Sequence, residues 1–212
     1  MAAYEDDEQL EALKKWWAEN GTSVIAGIVL GVGGLVGWKG WISYQTNKAE
    51  TASAHYNAMT TAVMDKPSEN LLENVTSLQE DYSSTPYAAL ASLELAKRNA
   101  ESGDLDVVAQ QLRWAMEHGS QESIKHVARI RLARVLTVQN KNDEALEILS
   151  VPLSPAYTSL VEEVRGDAYR AKGEVDKARN AYNRAILSAN GNTDYLLMKR
   201  DDLGEPASDS SS

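Results

Sequence analysis

The sequence predicts an all-α protein, with an N-terminal transmembrane helix followed by a solenoid of helical hairpins. Three observations carry this. One apolar run holds no charge from 22 to 38, and the rest of the chain repeats its apolar residues every three or four positions. A pattern of small and large residues also recurs, at intervals of 37 and then 33 residues. No stretch alternates with period two for long enough to suggest a strand. The expected organisation is a short N-terminal segment (1–21), a span (22–44), a helical-repeat domain (45–203) and a disordered polar tail (204–212).

Composition narrows the function classes. Of the 212 residues 25% are charged and 43% hydrophobic, which suits a folded chain. The net charge of −10 leaves no basic footprint for nucleic acid. Cysteine is absent, which removes disulfides, thiolate metal sites and cysteine nucleophiles together, and leans slightly toward an exported domain. Phenylalanine is absent too, so Trp and Tyr carry the aromatic load.

The membrane segment comes first. Lys39 interrupts the apolar run, but Gly40, Trp41, Ile42 and Tyr44 continue it. The stretch 22–44 is about 34 Å long as a helix, enough to cross the hydrocarbon of a lipid bilayer. Lys39 stands near its end, where it can snorkel to the headgroups. Trp16 and Trp17 flank one boundary, and Trp38, Trp41 and Tyr44 the other, as interfacial aromatics should. The preceding segment is long and acidic, unlike the short basic start of a secretory signal, and Ala52-Ser53-Ala54 lies too far beyond the run to serve as a cleavage site. The anchor is expected to be retained. Lys14 and Lys15 before the span balance Lys39 and Lys48 after it, so charge leaves the orientation open. Gly27 and Gly31, and again Gly33 and Gly37, have the small-xxx-small spacing of a helix-docking face. Glycines are also simply common in such helices. Leu10 to Trp17 reads as an amphipathic stretch at the membrane surface.

Beyond the span, Ala49, Ala52, Tyr56, Met59 and Val63 mark one helical face, which Asp65-Lys66-Pro67 ends. Leu71, Val75, Leu78 and Tyr82 mark the next, and the two form an N-terminal capping hairpin, 49–64 with 68–81. Thr85 before Pro86 reads as an N-cap with proline at the first helical position. Gly166, Tyr169, Gly173, Ala178, Tyr182 and Ala185 then follow the tetratricopeptide helix–turn–helix pattern. The same frame finds Leu95, Ala96, Gly103, Leu112 and Ala115 upstream, and Leu132, Ala133, Leu136, Ala145 and Leu149 between. The middle copy has Asn140 for the turn glycine and Pro152 for the late alanine, so its second helix should be cut short. The first copy has Val108 where alanine is usual. A generic alanine-rich bundle is the alternative. Residues 194–200, with Leu196, Leu197 and Met198, should form a final covering helix.

No reactive constellation is legible, so neither a catalytic residue, a metal site nor a cofactor is expected. His55, His118 and His126 are scattered and read as solvated, and no Gly-rich loop follows a strand. What remains is binding. The first helices of stacked pairs line a concave face, on which repeat position places Leu93, Lys97, Ile130, Arg134, Glu163 and Arg170. The row Lys97, Arg134, Arg170 would suit carboxylates or carbonyls of an extended partner. Three ordinary surface charges would look the same.

Further residues carry a family likeness: Tyr4-Glu5, the Ala18-Glu19-Asn20-Gly21 lead into the span, Gly31-Val32-Gly33, Gly37-Trp38, the run from Ala89 to Ala96, and Arg131-Leu132-Ala133-Arg134-Val135. In these the chain resembles the YfgM family of ancillary SecYEG translocon subunits, from Tyr4 to about Leu197, the tail after Leu203 being a departure. The resemblance implies a non-enzymatic, single-pass protein of the bacterial inner membrane, with a cytoplasmic N-terminus and a periplasmic repeat domain. It implies as partners the SecYEG translocon, a membrane-anchored periplasmic chaperone of the PpiD type, and emerging secretory chains. It also implies an alternative role, restraint of an Rcs-type envelope-stress pathway through the N-terminal segment.

Overall fold

The computed structural model describes residues 2–65 and 70–204. They form α1 (Ala2–Asp65), α2 (Leu71–Asp81), α3 (Pro86–Ser102), α4 (Leu105–His118), α5 (Glu122–Val138), α6 (Asn142–Ser150), a 3-10 turn (Pro155–Tyr157), α7 (Thr158–Ala171), α8 (Val175–Leu187) and α9 (Asp194–Asp201). Among the described residues there is no strand. The Lys66-Pro67 stop, Ser68 and the tail from 205 onward lie outside the described residues, as does the side chain of Val63.

The chain divides at Lys48/Ala49 into two units. In the first, α1 presents its apolar residues to solvent: Ile25, Ile28, Val29, Leu30, Val32, Leu35, Val36 and Ile42 are all exposed. It is the helix among the described residues that is long and apolar enough to cross a membrane, with mean hydropathy of 1.7 in its most apolar stretch. Its glycines would weaken a helix in water, where a lipid solvent leaves backbone bonding no alternative.

In the second unit the end of α1 contributes Ala52 and Met59 to a core with Leu71, Val75 and Leu78 of α2 and with Ala88, Ala91 and Leu95 of α3. The N-terminal hairpin is thus part of the packed domain. Beyond it, α3 and α4, α5 and α6, and α7 and α8 pair as hairpins, and α5 touches both α3 and α7.

The three hairpin turns are built alike. Gly103, Asn140 and Gly173 hold φ of 83°, 61° and 75°. In each turn the next residue's N–H reaches back five positions: Asp104 to Asn99 at 3.0 Å, Lys141 to Leu136 at 2.8 Å, and Glu174 to Tyr169 at 2.9 Å. The turn residue itself donates three positions back. This is the Schellman ending, which needs a left-handed residue at that point. The same three next residues then accept from Val108, Ala145 and Ala178, starting the second helix of each pair. Those three side chains are all buried, so one turn ends a helix, starts another and fixes its register.

Packing follows the small–large pattern. A Cβ built on Gly166 would overlap the buried ring of Tyr182. Helix α6 stops at Ser150, nine residues long, where α4 and α8 run to 14 and 13. The shortfall is the one Pro152 predicts, since proline disfavours helix in the residue before it. Arg165 of α7 donates to the Leu149 carbonyl left open there, at 2.6 Å, and pairs with the buried Glu162, which also holds Arg184 at 2.7 Å. Thr85 stands at the start of α3, but its hydroxyl donates backward to the Tyr82 carbonyl at 2.8 Å and caps no helical N–H.

Candidate interaction surfaces

Two surfaces carry the residues singled out from sequence, one on each unit. On α1, Gly27, Gly31, Gly33 and Gly37 have no other atom within 4 Å of where a Cβ would stand. At about 100° per residue they fall on two stripes some 120° apart. Gly27, Gly31 and Gly34 form one, and Gly33, Gly37 and Gly40 the other, each with i, i+4, i+7 spacing. The single glycine face expected from sequence is therefore two. Trp16 pairs with Trp17 at 6.4 Å between ring centroids, and Trp41 with Tyr44 at 6.4 Å. All four, and Trp38, are exposed. Trp17 and Trp38 are separated by about 32 Å of helix rise, close to the thickness of bilayer hydrocarbon.

In the repeat unit the six groove residues do not stay together. Ile130 is 3% exposed and belongs to the core around Leu132, Leu136 and Val164. It is not on a partner-facing surface, because it is buried in the core that residues of α3 to α7 form together. Leu93 is half-buried and packs against that core. Lys97 and Arg170 are exposed. Arg134 and Glu163 do meet, Nη2 donating to Oε2 at 3.1 Å across α5 and α7.

That pair opens into an ionic cluster. Lys199 of α9 donates to Glu163 Oε1 at 2.8 Å and to both Asp167 oxygens at 2.9 and 2.7 Å. The Tyr182 hydroxyl donates to Asp167 Oδ1 at 2.7 Å. Burial first, then this bond to Asp167, holds the Tyr182 hydroxyl well above its usual pKa. For Lys199 burial acts against the charge, but Asp167 and Glu163 together outweigh it and raise its pKa above 10.5. Beside the cluster a groove of about 680 Å³ runs between α5, α7 and α9, with Val138 and Tyr195 exposed on its rim. Asp167, Tyr195 and Lys199 escaped the sequence reading. The one available signal was the four-residue spacing of Glu163 and Asp167, which puts two carboxylates on one face of α7.

His55 and His118 are exposed, as the sequence leads one to expect, but His126 is not. His126 is half-buried, edge-on to Tyr157 with ring centroids 5.2 Å apart, and His118 stacks on Trp114 at 4.8 Å. Among the described residues no three His, Asp or Glu side chains are placed to hold a metal ion.

Residues 14–205 match the family described as tetratricopeptide repeat-like domain. The chain is 35% identical to the ancillary SecYEG translocon subunit of Escherichia coli (strain K12), over 89% of this chain and 91% of that protein. It is 31% identical to the protein of that name from Aggregatibacter actinomycetemcomitans, over 92% of this chain and 96% of the other. The Haemophilus influenzae protein of the same name is 29% identical over 87% and 90%. No solved structure matches significantly. None of these names denotes an enzyme.

Proposed function

The chain belongs to the tetratricopeptide repeat-like family that includes the ancillary SecYEG translocon subunits, and we propose that it acts as such a subunit, a non-enzymatic interaction module held in the membrane. In this reading 22–44 spans the bacterial inner membrane, with the N-terminus cytoplasmic and the repeats periplasmic. The repeat domain links emerging secretory chains to a membrane-anchored periplasmic chaperone of the PpiD type.

One observation supports this most. The family likeness covers 14–205 as a single block, so the apolar helix and the repeats are kept together in one kind of protein. The physical features agree with it. Helix α1 offers two glycine stripes through which helices can approach closely, and the repeat unit offers a groove with both charge and apolar rim.

A photoreactive residue placed at Arg134 or Arg170 during active secretion tests the reading. Crosslinks to a secretory chain or a periplasmic chaperone are expected. If both positions stay silent while the exposed Leu187 crosslinks strongly, the groove is misassigned. Deleting 1–15 separates the regulatory alternative: loss of envelope-stress control with translocon association intact would assign that role to the N-terminal segment.

A further inference from the structure

We propose that the niche holding Lys199 is a binding site for a lysine-bearing helix of a partner protein, and that α9 is its exchangeable resident. The inference rests on the reading that the repeat unit carries the partner, and it names the chemistry that the partner must present.

The niche is built for an ammonium. Glu163 and Asp167 stand one turn apart on α7 and supply the three oxygens that meet the three N–H donors of Lys199. The Tyr195 ring, on α9 itself, lies under the same nitrogen, 4.8 Å from its centroid, and would leave with the resident helix. Asp167 is held in place independently by the hydroxyl of the fully buried Tyr182. The acceptors are therefore positioned by the repeat itself and not by the lysine that fills them.

Apart from this niche α9 packs on α8, and it buries little there. It has eight residues, and Leu196 is its one buried side chain, while Tyr195 and Met198 are more than half exposed. Arg179 adds a bond to the Gly204 carbonyl just beyond it. A helix this short does not persist in water by itself. Simple detachment is nonetheless unfavourable, because Asp167 and Glu163, the latter 12% exposed, would lose the ammonium that compensates them. Exchange of one ammonium for another avoids that loss. What then opposes a partner is mainly the burial of Leu196 and the proximity of a tethered segment.

The rest of the surface fits such a partner. The chain carries a net charge of −10, which draws basic segments toward it. The groove continues from Lys199 past Glu163 to the exposed Val138, with room for an apolar side chain. Leu196 and Lys199 define what the entering helix needs: an apolar residue three positions before a lysine, on the same face.

The test uses the full chain in detergent micelles and a blocked, fluorescein-labelled peptide with the sequence of residues 192–203, read by anisotropy. Binding to the unaltered chain should be measurable. Binding to Lys199→Gln should be at least ten-fold tighter, because the resident strap no longer fills the niche. A peptide with glutamine in place of its lysine should bind at least ten-fold more weakly, and so should the original peptide to Lys199→Gln carrying Glu163→Gln and Asp167→Asn. Equal binding of the lysine and glutamine peptides, or binding of neither, overturns the proposal.

Hydrogen exchange on the unaltered chain guards against a fold disturbed by substitution. Amides of α9 should exchange well before those of α7 and α8, and exchange as one unit with them also overturns it. Failure of these tests with translocon co-purification intact would remove the exchange site and leave the proposed function standing. Specific peptide binding without co-purification would do the reverse.

Discussion

Replacing Gly166 with alanine sets two known effects against each other. Alanine favours a helix interior over glycine by about 1 kcal/mol, so a free site would be stabilised. Here the added Cβ would stand 2.5 Å from Cδ1 and 2.9 Å from Cζ of Tyr182. The ring cannot easily retreat, being fully buried with its hydroxyl bonded to Asp167 at 2.7 Å. Overpacking of this kind costs about 1–3 kcal/mol, and a fixed ring puts the site toward the upper end. The net expectation is a loss of about 1–2 kcal/mol, confined to the last hairpin because repeat stability is largely local. Hydrogen exchange of α7 and α8 amides in the full chain measures it. In a Tyr182→Leu background the obstruction is gone, and Gly166→Ala should then slow exchange. If the single substitution already slows exchange in the unaltered background, the close approach of α7 and α8 does not constrain this site and the packing argument fails.

The other expectations are simpler. Asn140→Ala forces an ordinary side chain into φ 61° and should cost about 1 kcal/mol, lowering the melting temperature, while Asn140→Gly should leave it equal or raise it. Because the Lys199 pKa is raised above 10.5, its contribution is complete below that value and lost as pH climbs through the folded value. A nitroxide on a cysteine placed at Asp202, unique in a chain without others, should therefore be mobilised only above pH 10.5, and mobilisation already at pH 9 would refute the cluster's role. Leu30→Arg, in the middle of the apolar run, carries an insertion penalty of about 3 kcal/mol and should shift the chain toward carbonate-extractable material; unchanged retention would argue against a span there.

Much of the fold was legible because its rules are local. Gly103 and Gly173 stand at the turn positions of the repeat pattern; Asn140 reads there as a departure, yet the structure gives all three the same turn. The shortened α6 followed from Pro152 alone. The candidate site was less legible, since it depends on what covers what. Repeat position puts Ile130 on a surface, but it lies in the core that α5 shares with its neighbours. Lys199 meets Asp167 across 32 residues of sequence, and no periodicity announces such a pairing. Thr85 has the right residue type for a cap, yet its hydroxyl finds the Tyr82 carbonyl first. The spacing of the glycine pairs is plain in the sequence, but their angular positions on the helix divide one face into two.

In the proposed function the apolar helix and the repeats work together at the translocon. The most direct test is purification from detergent-solubilised native membranes through a tag on SecY, comparing the unaltered chain with one whose residues 22–44 are replaced by an unrelated span of equal length. The unaltered chain should co-purify, and the replacement, still in the membrane and still carrying folded repeats, should be depleted at least ten-fold. Absence of the unaltered chain from the purified translocon would contradict the proposed function.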